Sequence, residues 1–218
     1  KGKPKLAGLQ VDVVNASTAV SEMKAANYDL AELPTDAYDT FKDATNFKTI
    51  GTVENTYSYI GFKFGSWNKE KEEVEMDTSK VIQQKALRQA MAYAFDADAV
   101  GQRFFSGLRF RANTLIPSLF KSVHASDLPG FTYDPEKSKQ ILADAGFVDK
   151  DGDGFVEDPN GKPFTLKFLA RSSSDIAEPL WSYFVESWKQ VGINVELLDG
   201  RLYDFNSYAE MLRGDDQS

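Results

Sequence analysis

Between Ile82 and Leu108 the chain reads IQQKALRQAMAYAFDADAVGQRFFSGL, and no other stretch limits the fold as much. Ile82, Ala86, Leu87, Ala90, Met91, Ala94 and Phe95 recur at helical spacing, with Gln83, Lys85, Arg88 and Gln89 on the other side. That pattern predicts an amphipathic helix with one buried stripe. Asp96 stops it and can accept from the first free N–H groups of a second helix, with Asp98 near that helix's positive end. The second helix buries Val100, Phe104 and Leu108, and Gly107 is suited to end it. Two helices joined through one Asp make a rigid corner, which reads first as core and not as a site.

The 218 residues can hold one large or two small domains around a real core. With 42% hydrophobic residues and 13% aromatics, the composition is that of a globular protein. A net charge of −8 argues against nucleic acid or an anionic membrane as partner, because both demand a basic face. The absence of cysteine excludes disulfides, thiolate metal sites and cysteine nucleophiles, and leaves the redox compartment open. No apolar run is long enough to span a bilayer. The opening KGKPKL has no initiator Met, which suggests a processed or cut piece of a longer protein.

Taken in order, Lys5–Val14 alternates imperfectly and reads as a strand, followed by a helix capped by Ser17 or Thr18 and running to about Asn27. Tyr28–Leu33 reads as a short buried strand, Asp36–Asp43 as a short helix, Thr49–Val53 and Thr56–Phe64 as strands. The charged stretch Gly65–Ser79 and the segment Arg111–Leu128 read as loops. Asp134-Pro135 opens a helix that Gly146 ends. Phe164–Ala170 is a strand, Ala177–Val191 an aromatic-rich helix, Gly192 a stop and INVELL a strand, and a last helix starts at Asp204 or Asn206 and ends near Gly214. Strand, helix and strand in that order make a βαβ unit, so the expected class is α/β with a mixed, partly parallel sheet flanked by helices. A small leading unit gives way to a larger one near Asn55.

The sharpest local motif is DKDGDGFVEDPN, residues 149–160. Asp149, Asp151 and Asp153 fall at the first, third and fifth places of a calcium loop, and Gly154 supplies the turn at the sixth. The twelfth place holds Asn160 where a bidentate Glu is expected, so Glu157 or Asp158 would have to stand in, and a strand follows where an EF-hand has a helix. Structural calcium held by Asp149, Asp151, Asp153 and Glu157 therefore competes with a solvated acidic turn leading into a hairpin. Other chemistry is poorly supported. His124, the one histidine, lies in a loop without a nucleophile elbow, and neither nucleotide fingerprint is present. A pair of carboxylates for glycoside hydrolysis stays open, since acidic residues abound and none is singled out. Aromatics cluster at Tyr57, Tyr59, Phe62, Phe64 and Trp67, and again at Tyr203, Phe205 and Tyr208; such rings suit core and ligand pockets alike.

Together these pieces resemble the extracellular solute-binding proteins of peptide ABC transporters, the oligopeptide- and dipeptide-binding group called family 5. KALRQAMAYAFDADAV is similar to the family's helix pair, and YDLAEL and YSYIGFK to segments upstream of it. FTYDPEKSKQILADAGFVDKDGDGFVED, GKPFTLKFLA and KQVGINVELLDG are similar to segments downstream. GSWNKEKEEVEMDTS is longer than the usual connection and resembles a Gram-positive variant. The resemblance implies a periplasmic-binding-protein-like type II lobe. Residues 1–55 would belong to a first lobe and 56–218 to an incomplete C-terminal lobe. It also implies a monomeric binder without catalysis, which takes peptide outside the cell, delivers it to permease subunits and is lipid-anchored when full-length. Tyr57, Tyr59 and Phe205 correspond to its ligand contacts, and the carboxylate that grips the ligand's amino group would lie past Ser218. A binder of nickel chelates, haem or sugars on the same scaffold, an acidic hydrolase and a calcium-stabilised interaction module remain as alternatives.

Overall fold

The computed structural model describes residues 2–3 and 5–213, and the chain divides into two compact units, Lys1–Gly51 and Thr52–Ser218. Helix α1 (Ala16–Lys24) starts where Asn15, and not Ser17 or Thr18, accepts from the Thr18 N–H at 2.8 Å. Its buried residues are Ala19, Val20 and Met23, and Asn46 donates its amide to the Met23 and Lys24 carbonyls at 3.3 and 2.9 Å. A short 3₁₀ turn, Thr35–Ala37, runs into α2 (Tyr38–Phe41), in agreement with the helix expected there. The strands expected over Lys5–Val14, Tyr28–Leu33 and Thr49–Val53 do not form. A strand exists only as one of a pair, and the described residues of this unit contain none. Leu6, Leu9, Val11 and Val13 are accordingly exposed.

The second unit carries the α/β architecture. Thr56–Phe64, expected as a strand, forms none, although its last carbonyl, that of Phe64, accepts from the Asp77 N–H at 2.8 Å. The charged stretch after it, expected as a loop, folds into an antiparallel hairpin of β1 (Gly65–Asn68) and β2 (Glu73–Met76), with Trp67 opposite Val74. Val74 and Met76 alternate with Glu73 and Glu75 along β2, a strand pattern that the charges around it hide, and with Trp67 they stay exposed.

After the turn Val81–Gln83 come α3 (Lys85–Tyr93) and α4 (Ala97–Phe105), the predicted corner. Asp96 accepts from the Ala99 N–H at 2.9 Å, and Ser106 and Gly107 both take positive φ, so α4 stops one residue earlier than Gly107 alone would stop it. Residues 111–128 form an irregular loop. Helix α5 (Pro135–Asp144) begins at Asp134, which accepts from the Lys137 N–H at 2.9 Å, and Gly146 turns it off at φ +85°. Then β3 (Leu166–Phe168), α6 (Ala177–Lys189) and β4 (Val195–Leu197) make the βαβ unit, with Leu166 beside Val195 in a parallel pair. Helix α7 (Phe205–Arg213) follows, and its expected end near Gly214 lies outside the described residues. The parallel and antiparallel pairings thus occupy separate two-stranded sheets where one mixed sheet was expected.

One hydrophobic core holds α3 to α6 and the parallel strands together. Leu87, Leu142, Phe147, Trp188, Ile193 and Val195 are its largest fully buried members. Burying each such side chain favours the folded state by about 1.5–3 kcal/mol.

Candidate functional site

Positions at the two ends of the β3–β4 pair differ in chemistry. At the carboxyl end the parallel alignment continues past the strands through a bridge between Arg171 and Tyr203, with Tyr203 N–H donating to the Ala170 carbonyl at 3.0 Å and Ser172 N–H to the Tyr203 carbonyl at 2.8 Å. Tyr203 is buried, and its hydroxyl donates to the Asp199 carboxylate, which sits on a residue of positive φ in the turn Leu198–Gly200. Trp181 donates its indole N–H to the Arg171 carbonyl at 2.8 Å, which fixes the exit of β3 against α6. An open cavity of about 540 Å³ lies here, lined among others by Ser172, Ser174, Asp175, Glu178, Gly200 and Arg201. The Arg201 guanidinium lies over the Tyr203 ring at 4.5 Å, and that of Arg171 over the Phe205 ring at 5.7 Å.

Phe205 is 61% exposed, so its ring is offered to solvent at the first residue of α7. Asp204 caps that helix. Its carboxylate accepts from the Ser207 hydroxyl at 2.5 Å and from the Asn206 and Ser207 N–H groups, and these bonds hold it below the usual carboxylate range. Tyr57 and Tyr59 lie in the irregular segment before β1, 42% and 78% exposed, with ring centroids 6.0 Å apart. The segment after them is held at Phe64: its carbonyl accepts from the Gln83 amide at 2.8 Å, and the Arg88 guanidinium lies 4.8 Å over its ring.

The amino end of the same strand pair carries the acidic loop. Oxygens of Asp149, Asp151 and Asp153 come within 4.8 Å of one another, and all three residues are exposed. Asp149 accepts from the N–H groups of Gly152 and Gly154, Asp151 from Asp153 and Asp153 from Phe155, so backbone donors offset part of the repulsion. Glu157 stands apart from this trio. It is buried, accepts from the Lys150 N–H at 2.7 Å, and its backbone bridges Val148. A smaller cavity, about 170 Å³, lies beside the loop and includes Asp153, Glu157, Thr165 and Asn194. His124, in the irregular loop, meets the Ile116 carbonyl through Nδ1 at 2.7 Å.

A family model described as bacterial extracellular solute-binding proteins, family 5 Middle, matches residues 1–214. The chain belongs to that family. It is 28% identical over 210 residues to the oligopeptide-binding protein OppA of Lactococcus lactis subsp. lactis IL1403, covering 95% of this chain and 35% of that protein. Against the oligopeptide-binding protein AppA of Bacillus subtilis it is 26% identical over 200 residues, 90% of this chain and 34% of that protein. The chain therefore spans about a third of the length of these curated relatives. The lactococcal OppA structure, complexed with an endogenous peptide in the closed conformation, superposes with a TM-score of 0.83 at 27% identity, covering 90% of this chain and 37% of that one. The α/β fold of this chain is that of a solved member of the family.

Tyr57 and Tyr59 form one aromatic pair, and Phe205 stands on a different element with Arg171 as its ring partner. Sequence reasoning missed the cavity residues Ser172, Ser174, Asp175, Glu178 and Arg201. A usable signal was present. They follow the carboxyl ends of the parallel strands in a βαβ unit, where ligands of open α/β sheets bind.

Proposed function

We propose that this chain is part of the substrate-binding component of an ABC importer, which takes oligopeptides or dipeptides outside the cell and passes them to the permease. The observation that carries this reading is its likeness to peptide-closed lactococcal OppA over 90% of its length. In this reading residues 1–55 contribute to a first lobe and residues 56–218 to the C-terminal lobe. The exposed rings of Tyr57, Tyr59 and Phe205 meet the ligand, as amphipathic rigid rings do well at variable surfaces. The protein makes and breaks no bonds. Its work is hinge closure, in which ligand stabilises the closed over the open state by its extra contacts in the closed one. A lipid anchor on the outer face of the membrane and a monomeric binder without nucleic-acid affinity complete the proposal.

The test is calorimetric titration of mixed peptides into the isolated 218 residues and into the full-length protein. The full-length protein should bind, and the isolated chain should bind weakly or not at all because half of the cleft is missing. Tight peptide binding by the isolated chain would overturn the division into partial lobes. Selective binding of an oligosaccharide or a nickel chelate by the full-length protein would replace peptide as the ligand.

Structural calcium at the acidic loop is a second, separate proposal. Its support is the convergence of Asp149, Asp151 and Asp153 oxygens within 4.8 Å, beside the spacing of a calcium loop. Glu157 lies outside that cluster, with its Oε2 accepting from the Lys150 N–H, and would join only by bringing a carboxylate oxygen nearer the trio. The melting temperature should rise in millimolar calcium relative to chelator, by ligand linkage. An unchanged Tm ends the idea.

A further inference from the structure

The cavity at the carboxyl ends of β3 and β4 has walls of opposite charge. Asp175 lies just before α6, Glu178 in its first turn, and Arg201 at the end of the turn after β4. Among the described residues none of the three is in an ion pair, and the Arg201 guanidinium lies over the face of Tyr203. The Ser172 hydroxyl, which donates to the Tyr203 carbonyl at 3.2 Å and keeps acceptor capacity, and that of Ser174 complete the polar lining. Charges of both signs left without partners around one recess, at the sheet end where α/β proteins bind ligands, form a surface complementary to a charged or dipolar group.

We propose that this cavity reads charge on the bound peptide. The Asp175–Glu178 side takes the ammonium or guanidinium group of a basic side chain, and Arg201 takes the carboxylate of an acidic one. This rests on the peptide-binding reading above and assigns it a specificity-determining subsite. A competing explanation is purely structural: carboxylates beside a helix N-terminus are stabilised by the helix dipole without any ligand. The two explanations differ in what mutation does. A dipole role changes folding stability and leaves the ranking of peptides alone, whereas a subsite changes the ranking.

The experiment uses the full-length protein, titrated with an alanine nonapeptide and with versions carrying Lys or Glu at each position in turn. In the double variant D175N/E178Q, the Lys peptide that wild type binds most tightly should weaken by about fivefold relative to all-alanine, the upper range for a partly exposed ion pair. That preference should shrink in about 0.5 M salt. R201Q should do the same to the Glu peptide and leave the Lys peptide unchanged. Unaltered Lys-to-alanine and Glu-to-alanine ratios in both variants, even with a shifted Tm, overturn the subsite. Failure of folded wild type to bind any of the peptides overturns the peptide-binding reading itself, which is a distinguishable result.

Discussion

Ser138 and Trp188 show how single polar atoms decide the packing of this protein. The last carbonyls of a helix have no partner within it, and at the end of α3 they are buried. The Ala90 carbonyl accepts from the Ser138 hydroxyl at 2.7 Å as well as from the Ala94 N–H at 2.9 Å. The Met91 carbonyl accepts from the Trp188 indole at 3.1 Å, and the Tyr93 carbonyl from the Asp134 N–H at 2.8 Å. One helix end is therefore held by residues from α5, from α6 and from the turn before α5. The two side chains are not equivalent. Removing the Ser138 hydroxyl leaves Ala90 with its helical donor, so Ser138→Ala should cost about 1 kcal/mol. Trp188→Phe strips the indole donor from the Met91 carbonyl and leaves space in a close-packed core, so it should cost about 2–4 kcal/mol. Urea unfolding of the two variants checks the order; equal costs would mean the Met91 carbonyl finds another donor.

At the scale of elements, α4 illustrates a constraint that a helix-propensity argument misjudges. Replacing a glycine inside a helix by alanine ordinarily stabilises by about 1 kcal/mol. Gly101 is buried in α4, and a Cβ there would lie 2.1 Å from the Arg109 carbonyl oxygen, because the chain doubles back after Ser106 and Gly107. That neighbour is backbone and is itself fixed, with the Arg109 guanidinium 3.9 Å over the Phe105 ring. Gly101→Ala should therefore destabilise by about 2–3 kcal/mol, as overpacking does; a gain in thermal stability would show that the return of the chain can move. The helices were legible in the sequence because each carries its own period and cap: Asp96, Asp134 and Gly146 act where their chemistry places them. Strands were legible only in the βαβ unit, where both partners are present. Leu6–Val13 and Thr56–Phe64 have β-like composition but form no strand among the described residues, and the hairpin 65–76 was hidden beneath its charges. The candidate site was legible as aromatics and aspartates, not as a cavity, because a cavity is made by elements meeting and no local pattern encodes that.

For the larger unit as a whole, the distribution of carboxylates sets its response to acid. Asp77, Asp158 and Asp204 are held below the usual carboxylate range by hydrogen bonds, chiefly from the Ser79 hydroxyl, the Lys162 N–H and the Ser207 hydroxyl. Glu75 and Glu196 are lowered too, chiefly by hydrogen bonds from Lys71 and Lys167. A folded-state value below the unfolded one means the unfolded chain binds protons first as pH falls. The stabilisation is therefore complete above the ordinary carboxylate range, about pH 4, and is lost as pH drops through it and below. On the alkaline side Tyr183 is raised, first by burial and then by the Asp96 charge, so its contribution is present below the ordinary tyrosine range and is lost as pH rises through the folded value. The urea midpoint should thus be flat between about pH 5 and 9 and fall on both sides. Salt separates the two acid mechanisms, because it screens the exposed Lys71–Glu75 and Lys167–Glu196 pairs and leaves hydrogen bonds from backbone and hydroxyl donors in place. At about 1 M salt the acid limb should become shallower but persist. Asp158→Asn retains an acceptor for the Asn160 and Lys162 N–H groups while removing the charge, so it should reduce what persists. An acid limb abolished by salt alone would show that ion pairs, and not the capped aspartates, govern the response.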